Sequence, residues 1–484
     1  MSERSDFLWL TAGRVLSAVI ALASVRAVTT YLSPDQYGEL ALLISVQTFC
    51  GLFLVNPIGQ YINLNTHSWF SDKTLRPRLN CYWGYVLLIS SVGSLAAWLL
   101  IDPLMQPQLP LMLFAMYLTV VASTWNATLI PMLNMLGFRR SSVILTLITS
   151  CASLSASMYI VSWEPSATGW FVGQMIGLSI GGGIASFIIH KSVFGKNSKP
   201  RIVKLIDRKT IFAYCVPLAI ATGLMWLQLS GYRFVVERYW GLKELAYFAI
   251  GLQLAYQLWS LAESIATQFL YPYFFQRISQ GANYEEKQSA LSDLLSILLP
   301  AYLILMGLSI IAAPYLLKLL VSAQFYGGVK FFIVGTVVEF CRVSANLLSN
   351  AAHAKRATGT LVLPYAAGVV FIYFGLYIFG LKGFEIWWAG IALIVGGVIM
   401  LVLLALRMYG QLKFKVYSAG LVAACVLSLV MSGVAFFLPV FISFAHVFIV
   451  MITLCSIGLI SLFILLYNNP ALGRMLNAKL GRGR

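Results

Sequence analysis

Charged residues are scarce in this sequence. Only 10% of its 484 residues are charged and 60% are hydrophobic, whereas a soluble domain carries about 25% charged residues. A chain this long and this apolar has too little polar surface to stay dissolved in water. The composition therefore excludes an ordinary soluble enzyme or binding domain.

Acidic residues are scarcer than basic ones. The chain has 16 Asp and Glu against 33 Lys and Arg, which gives a net charge of +17. Nucleic-acid-binding proteins have a similar excess, but they concentrate it on one face of a folded domain. Here the basic residues fall in loops between apolar runs, so no nucleic-acid partner is expected.

The motifs of metal and nucleotide chemistry are also missing. The sequence contains no C-x-x-C pair, no H-E-x-x-H and no G-x-x-x-x-G-K-[ST], so neither a zinc site nor P-loop ATP hydrolysis is indicated. No cofactor and no metal is expected. The cysteines lie in or beside apolar runs and are predicted to be small buried apolar side chains. They are Cys50, Cys81, Cys151, Cys215, Cys341, Cys425 and Cys455.

Long apolar runs dominate what is present. Each is near the roughly 20 residues that an α-helix needs to cross a bilayer core. The sequence predicts an all-α, polytopic membrane protein with about 14 transmembrane helices. We place them near residues 8–30, 38–63, 79–101, 109–135, 141–162, 166–190, 210–234, 244–270, 293–320, 330–352, 359–380, 385–408, 416–438 and 441–467.

The loops fall into two sets of opposite character. One set, which includes both termini, contains 24 basic residues, and the other contains only three. The positive-inside rule predicts that both termini lie in the cytoplasm of a bacterial inner membrane. Within the longest cytoplasmic loop, residues 191–209, the stretch 200–208 is predicted to lie on anionic lipid headgroups as an amphipathic segment, and the tail 471–484 has the same character.

Two parts of the chain resemble each other. The sequence that begins at Arg26, near the end of helix 1, is similar to the sequence that begins at Arg233 in helix 7. The sequence that begins at Asn134 is likewise similar to the one that begins at Asn350. These offsets predict a parallel repeat, with six helices in residues 1–200 and six in 201–410. Residues 411–484 then hold two extra helices and a basic cytoplasmic tail. Such halves are typical of a rocking transporter whose substrate path lies between them.

Three predicted helices carry polar side chains on one face. Helix 2 has Asn56, Gln60 and Asn63. Helix 8 has Gln253, Gln257, Ser260, Glu263 and Ser264, and helix 10 has Glu339, Arg342, Asn346, Ser349 and Asn350. Such stripes indicate either a hydrated cavity or interhelical hydrogen bonding, with Glu339 and Arg342 paired at i,i+3.

Arginines inside apolar runs are the second polar feature. Arg14 and Arg26 lie in helix 1, and Arg233 lies in helix 7. A charge in a span costs about 2.5–3.5 kcal/mol on insertion scales, so it faces protein, water or the headgroups. Either these side chains reach a cavity, or they extend to the lipid headgroups.

Glycine and proline mark packing and bending. Helix 6 has a glycine at every fourth position from Gly169 to Gly181, which predicts a close-packing face. Pro57, Pro131, Pro217 and Pro364 are predicted to kink or break their helices. Asn126 begins a glycosylation sequence, but it is inside an apolar run, so we do not assign it a glycan.

Three segments resemble a known family. Leu32-Ser-Pro-Asp-Gln-Tyr-Gly38 resembles the "L-G-P-x-x-Y-G" signature that follows the first helix of polysaccharide exporters. Pro217, Arg233 and Ala246-Tyr247 resemble the "P…(D)R…G-x-Y" pattern of their second half, and Lys382–Ala389 resembles the opening of a late helix. The chain thus resembles the O-antigen and polysaccharide repeat-unit flippases of the multidrug/oligosaccharidyl-lipid/polysaccharide exporter superfamily.

The resemblance implies a transporter and not an enzyme. Its cargo would be an undecaprenyl-diphosphate-linked oligosaccharide, moved to the periplasmic leaflet by ion-coupled alternating access. The implied partners are this lipid-linked substrate, membrane lipids and other polysaccharide assembly proteins. The candidate diphosphate ligands are Arg14, Arg26, Arg233 and Arg342, and the candidate sugar ligands are Asn56, Gln60, Gln253 and Gln257. Glu263 and Glu339 are the candidates for ion coupling.

Two other functions remain open at this point. A multidrug ion antiporter of the same superfamily would favour acidic and aromatic groups for cationic drugs, whereas the charges inside these spans are mostly basic. A membrane glycan ligase or polymerase would need catalytic residues in an outer loop. The predicted outer loops are short and contain only isolated acidic residues.

Overall fold

The chain folds into α-helices. The computed structural model describes residues 3–101, 108–194, 208–278, 283–355, 357–435, 437, 444–467, 469–472 and 474. These residues are 92% helical and contain no strand, which confirms the predicted all-α fold. The predicted amphipathic segment 200–208, apart from Arg208, and the tail beyond 474 lie outside the described residues.

The helices belong to two compact units, Met1–Ala246 and Tyr247–Arg484. The first unit contains α1 Glu3–Tyr31, α2 Pro34–Phe49, α3 Asn56–Ser71, α4 Leu75–Leu100, α5 Leu109–Met135, α6 Arg139–Trp163, α7 Ala167–Ile188, α8 Arg208–Trp226 and the start of α9 Tyr232–Phe269. The second contains the rest of α9, α10 Tyr271–Arg277, α11 Tyr284–Leu320, α12 Val329–Lys355, α13 Val362–Leu381, α14 Trp387–Gln411, α15 Ser418–Val434 and α16 Phe444–Tyr467. The predicted repeat of six-helix halves remains a prediction.

Twelve described helices are long and apolar enough to cross a membrane. One of them, Lys209–Thr267, has 59 residues and is interrupted at Gly241, whose φ of 84° is not helical. It covers two predicted spans. A further predicted span is the 17-residue helix α15. The chain is therefore a multi-pass membrane protein with the predicted helical architecture.

The glycine face of predicted helix 6 packs α7 against α6. A Cβ added at Gly177 would lie 2.2 Å from the backbone nitrogen of Ser153, and one at Gly181 would lie 1.8 Å from Oγ1 of Thr149. Small residues let two backbones approach closely where no hydrophobic effect drives association in lipid. The predicted close-packing face is confirmed.

One amide joins three helices of the first unit. Nδ2 of Asn126, in α5, donates to the carbonyl of Leu178 in α7 at 2.5 Å. Its Oδ1 accepts from the Thr149 hydroxyl of α6 at 3.2 Å. Asn126 is thus an internal packing residue, in agreement with its exclusion as a glycan acceptor.

The segment that resembles the exporter signature forms the corner between α1 and α2. Ser33 caps α2 by accepting from the Gln36 backbone N–H, and Pro34 occupies the first turn, where its missing N–H costs no hydrogen bond. Oε1 of Gln36 accepts from the backbone N–H of Ala167 at 2.6 Å. A Cβ at Gly38 would lie 2.3 Å from the Leu242 carbonyl oxygen. The signature residues therefore position backbone elements of the first unit.

In the second unit, two residues in the N-terminal third of α11 bind a segment near the end of the described chain. The Asp293 carboxylate, 1% exposed, pairs with Arg277 at 2.8 Å and with Arg474 at 2.5 Å. Asn469 donates to the Ser296 carbonyl at 2.7 Å. Since a buried carboxylate is stable only when it is paired, these contacts fix Asn469 and Arg474 to α11.

The cysteine prediction is wrong for four residues. All seven cysteines lie in helices and form no disulfide, but Cys81, Cys151, Cys425 and Cys455 are exposed. Their thiols are on apolar outer helix surfaces, where a bilayer and not the protein core provides the apolar surroundings. A run that is apolar all round does not reveal which of its faces is internal.

The α6–α7 contact leads to a matched stability test. We expect Gly177→Ala to destabilise the protein by about 1–3 kcal/mol, because the added methyl overpacks a backbone contact. Gly183→Ala is the control, because a Cβ there meets nothing within 4 Å. Thermal unfolding of the purified protein in detergent measures both. Equal melting temperatures for the two variants would contradict the packing role of Gly177.

Candidate functional site

A pocket that contains amide and hydroxyl side chains opens in the first unit. Its volume is about 400 Å³, which is within the range of about 300–1,000 Å³ for small-molecule sites. The lining residues come from α2, α3, α5 and the segment between α2 and α3. They are Gln47, Thr48, Gly51, Leu52, Val55, Asn56, Gly59, Gln60, Asn63, Ser123, Thr124, Ala127 and Thr128.

A π-helical segment, Cys50–Val55, forms part of the pocket wall. Pro57 follows it and has no N–H to donate back into the preceding turn. The Leu54 carbonyl accepts a hydrogen bond from the Tyr85 hydroxyl of α4 at 2.8 Å. Wide π-turns are rare and are often found at functional sites. The predicted break at Pro57 therefore takes the form of a local widening of the helix.

The polar stripe of predicted helix 2 lines this pocket, as the hydrated-cavity interpretation requires. Nε2 of Gln60 donates to Oδ1 of Asn56 at 3.3 Å, and Gln60 is exposed. Oδ1 of Asn63 is buried and has no hydrogen-bond partner. Two of the predicted sugar ligands, Asn56 and Gln60, thus line the same pocket as Asn63, whose side-chain oxygen has no hydrogen-bond donor.

Sequence reasoning missed the rest of this lining. Gln47 and Thr48 precede the π-helical segment, which inserts an extra residue per turn and breaks the regular spacing of the stripe. Ser123 and Thr124 donate their hydroxyls to the Val120 carbonyl of α5. In the sequence, each of these residues is simply a polar residue in an apolar run. Because this is common in membrane helices, it did not indicate a pocket.

Arg233 is buried inside the first unit. It is 7% exposed, and its Nη1 donates to the Ala41 carbonyl at 3.2 Å and the Ser45 hydroxyl at 3.4 Å. Trp226 donates to the Ser45 carbonyl at 3.0 Å. Arg233 therefore joins α9 to α2. The alternative interpretation, in which its side chain extends to the lipid headgroups, does not hold for this residue.

Arg14 and Arg26 are both exposed on α1. Twelve residues of α-helix separate them, a rise of about 18 Å. The Arg26 carbonyl accepts hydrogen bonds from the hydroxyls of Thr29 and Thr30. The structure does not bring the two guanidinium groups together, but it leaves both accessible from outside the helix bundle.

An ion cluster lies between α9 and α12 in the second unit. Arg342 donates from Nε to Oε2 of Glu339 at 2.7 Å and from Nη1 to Oε2 of Glu263 at 3.1 Å. Asn346 donates to Oε1 of Glu263 at 2.8 Å. The side chains of Arg342, Glu263 and Glu339 are 13%, 23% and 6% exposed. When all three are ionised, the cluster has one negative charge more than positive charge.

Glycines bring α9 and α12 close enough for this cluster to form. A Cβ at Gly251 of α9 would lie 2.6 Å from the Phe332 nitrogen, and one at Gly335 of α12 would lie 2.9 Å from the Ala255 Cβ. The predicted i,i+3 pairing of Glu339 with Arg342 is confirmed. The pairing of Arg342 with Glu263, 79 residues away, had no signal in the sequence.

Two side chains of the polar stripes have buried atoms without partners. Nη2 of Arg342 and Oε1 of Gln257 are buried without partners, and the Arg342 guanidinium lies 5.3 Å from the centre of the Tyr256 ring. Gln253, also predicted as a sugar ligand, is half-buried one turn before Gln257. Such atoms cost free energy unless water or a ligand contacts them. The predicted stripes of helices 8 and 10 therefore meet in one polar region.

Comparisons with solved structures identify the fold. No protein-family model matches this sequence, and no curated protein matches it. The structure of the lipid II flippase MurJ in an inward closed conformation covers 99% of this chain and 100% of its own, with a TM-score of 0.71 and 15% identity. The eukaryotic MATE transporter AtDTX14 covers 88% of this chain and 97% of its own, with a TM-score of 0.53 and 13% identity.

The chain has the fold of these membrane transporters. A multidrug resistance MATE family transporter of the MOP superfamily, facing inward, also matches, over 84% of this chain and 99% of its own, with a TM-score of 0.50 and 14% identity. At identities this low the likeness concerns the fold alone. The resemblance to the O-antigen flippases remains a prediction.

Proposed function

We propose that this protein is a flippase that moves a lipid-linked oligosaccharide across the bilayer by alternating access. The cargo would be an undecaprenyl-diphosphate-linked repeat unit of O-antigen or another polysaccharide. The observation that carries this proposal is the 400 Å³ pocket of the first unit. Its amides and hydroxyls lie on helices that are otherwise apolar.

The pocket addresses the main barrier to moving a sugar through lipid. Each sugar hydroxyl costs several kcal/mol in hydrocarbon when it has no hydrogen-bond partner. Gln47, Asn56, Gln60 and Asn63 carry amides that offer both donors and acceptors. We assign the sugar to this pocket, and Gln253 and Gln257 to a second polar region of the path.

The diphosphate needs cationic ligands. Arg233 is buried and the Arg342 side chain is only 13% exposed, so a lipid headgroup does not reach either of them directly. Arg14 and Arg26 are exposed, and a guanidinium binds phosphate oxygens with two parallel hydrogen bonds. We therefore assign the diphosphate to Arg14 and Arg26 first. Arg233 and Arg342 would contribute only after a rearrangement.

The ion cluster provides a physical basis for energy coupling. A buried cluster with one excess negative charge is stabilised by binding a proton or a sodium ion. Glu263 and Glu339 can each accept that charge. Binding on one side of the membrane and release on the other would make the cluster a carrier for the ion that drives transport.

A multidrug antiporter is the second candidate function. MATE transporters share the fold, and the acidic excess of the Glu263 cluster is a feature that a cationic drug could use. However, Arg342 and Asn346 already occupy three of the carboxylate oxygens. The uncharged lining of the pocket in the first unit favours a hydroxylated cargo. Since the solved structures with this fold are transporters, a glycan ligase or polymerase is less well supported.

The surroundings of the protein complete the proposal. We place it in a bacterial inner membrane with both termini in the cytoplasm, in agreement with the distribution of basic loops. The cargo would then enter from the cytoplasmic leaflet, where such lipids are assembled, and other polysaccharide assembly proteins would receive it on the outer side.

The arginine assignment predicts distinct phenotypes. Arg14→Gln and Arg26→Gln should each reduce flipping about tenfold or more, because a hydrogen bond to a charged group contributes about 1.5–3 kcal/mol. Lysine at either site should retain part of the activity. Arg233→Gln should instead lower the amount of folded protein. Surface-polymer complementation in a flippase-null strain, with membrane abundance measured in parallel, tests this. Normal complementation by both Gln variants of α1 would refute the assignment.

The coupling assignment predicts a separation of binding from transport. Glu263→Gln or Glu339→Gln should abolish gradient-driven transport in proteoliposomes and leave substrate binding measurable. Arg342→Met is the contrasting variant. It should lower thermal stability by about 3–5 kcal/mol, because it leaves two carboxylates without their cation. Full gradient-driven transport by both glutamine variants would remove these residues as ion carriers.

A further inference from the structure

A group of basic side chains surrounds the corner between α3 and α4 in the first unit. Lys73 lies in the corner itself, and Arg76 and Arg78 lie in the first four residues of α4. Asp72 is the one acidic residue of the stretch 72–78. Three positive charges therefore stand against one negative charge there, and neither the sugar pocket nor the ion cluster includes any of these residues.

The backbone of this corner is fixed by hydrogen bonds. The Lys73 N–H donates to the Phe70 carbonyl at 3.1 Å, and the Thr74 N–H donates to the Trp69 carbonyl at 2.9 Å. Helices that end with these two bonds usually have glycine at the left-handed position. Here Lys73 occupies it, with a φ of 58°, and is exposed. The corner turns α4 back against the end of α3, so that Arg78 meets Trp69.

The Arg78 guanidinium is held against an aromatic ring. Its central carbon lies 4.4 Å from the centre of the Trp69 ring. Trp69 is 6% exposed and belongs to a buried apolar cluster, and its ring contacts the Tyr61 ring at 5.9 Å. A cation over an aromatic face is stabilised. Arg78 is therefore positioned by packing, unlike an arginine that only extends among lipid headgroups.

The nitrogens of this guanidinium have no acceptor among the described residues. Nε of Arg78 is buried without a hydrogen-bond partner. The two terminal nitrogens are not buried, and no described side chain or carbonyl accepts a hydrogen bond from them. A guanidinium has five N–H donors, and a phosphate accepts two of them in parallel. The accessible edge of Arg78 thus has the geometry that phosphate oxygens need.

We infer that Arg78, with Lys73 and Arg76 beside it, binds the phosphate group of a membrane lipid. The basic loops assign this corner to the cytoplasmic face, where phosphate groups of lipids lie. Two lipids carry this chemistry, an anionic phospholipid and the prenyl diphosphate of the proposed cargo. The site goes beyond the proposed function and does not depend on it. It lies on the helix that lines the sugar pocket, since Trp69 follows Asn63 by six residues, a rise of about 9 Å.

Lipid retention by the purified protein tests the site. Native mass spectrometry measures which lipids stay bound when the detergent is removed. Two matched pairs of probes isolate the phosphate, namely phosphatidylglycerol against diacylglycerol and farnesyl diphosphate against farnesol. We expect the wild-type protein to bind a phosphate-bearing probe at least about tenfold more tightly than its phosphate-free partner, because hydrogen bonds from a cation to phosphate are strong.

Variants of Arg78 separate this site from the general basic charge of the protein. Arg78→Gln should reduce the preference for phosphate about tenfold. Arg78→Lys should retain part of it, because lysine binds phosphate as a point charge without the two parallel bonds. Arg139→Gln is the control, because it removes the same charge from an exposed position at the start of α6. It should leave the preference unchanged. Size-exclusion profiles show whether each variant remains folded.

The outcomes identify the lipid or overturn the site. A preference for farnesyl diphosphate alone that depends on Arg78 assigns the site to the cargo lipid, and one for phosphatidylglycerol alone assigns it to the surrounding membrane. The inference is overturned if the folded wild-type protein prefers neither phosphate probe, or if Arg78→Gln keeps the wild-type preference. An equal loss in Arg139→Gln would also overturn it, because retention would then follow net charge. Since transport is not measured, none of these results decides the proposed function.

Discussion

Every polar group within the hydrocarbon must find its partner inside the protein, and this constraint organises the structure. Water cannot satisfy a backbone N–H or carbonyl there, so helices are the form that the chain takes across the membrane. The same constraint governs the side chains. Thr124 and Ser123 donate to a carbonyl of their own helix, and Asn126 connects three helices.

Two departures from this rule coincide with a pocket or an ion cluster, and these are the ones to which we assign function. In the first unit, Asn63 has an unpaired buried oxygen beside a pocket. In the second, Arg342 pairs with two carboxylates and has an unpaired buried nitrogen. Leaving such groups unsatisfied costs about 1–3 kcal/mol each. A ligand, an ion or a water molecule that binds such a group offsets this cost. We therefore assign the sugar and the coupling ion to these two places.

The sequence predicted what depends on local pattern. Apolar length predicted the spans, the fourfold glycine spacing predicted the α6–α7 contact, and the stripe from Asn56 to Asn63 predicted a polar pocket. It did not predict contacts between helices far apart in the chain. Glu263 meets Arg342 because Gly251 and Gly335 set the helix spacing, and neither glycine differs in sequence from the many others. The π-helical segment and the partners of Arg233 likewise depend on packing, as does the side on which Cys81 and Cys151 lie.

The most direct test of the transport function is translocation of a prenyl-diphosphate oligosaccharide in proteoliposomes that contain only this protein. Loss of the oligosaccharide's accessibility to an external glycosidase reports its movement between leaflets. The account predicts translocation faster than in protein-free vesicles, and slower translocation when Asn63 or Thr124 is replaced by a bulky apolar residue. No translocation above the protein-free rate by folded protein, together with uptake of a cationic dye under a proton or sodium gradient, would contradict it and favour a drug antiporter.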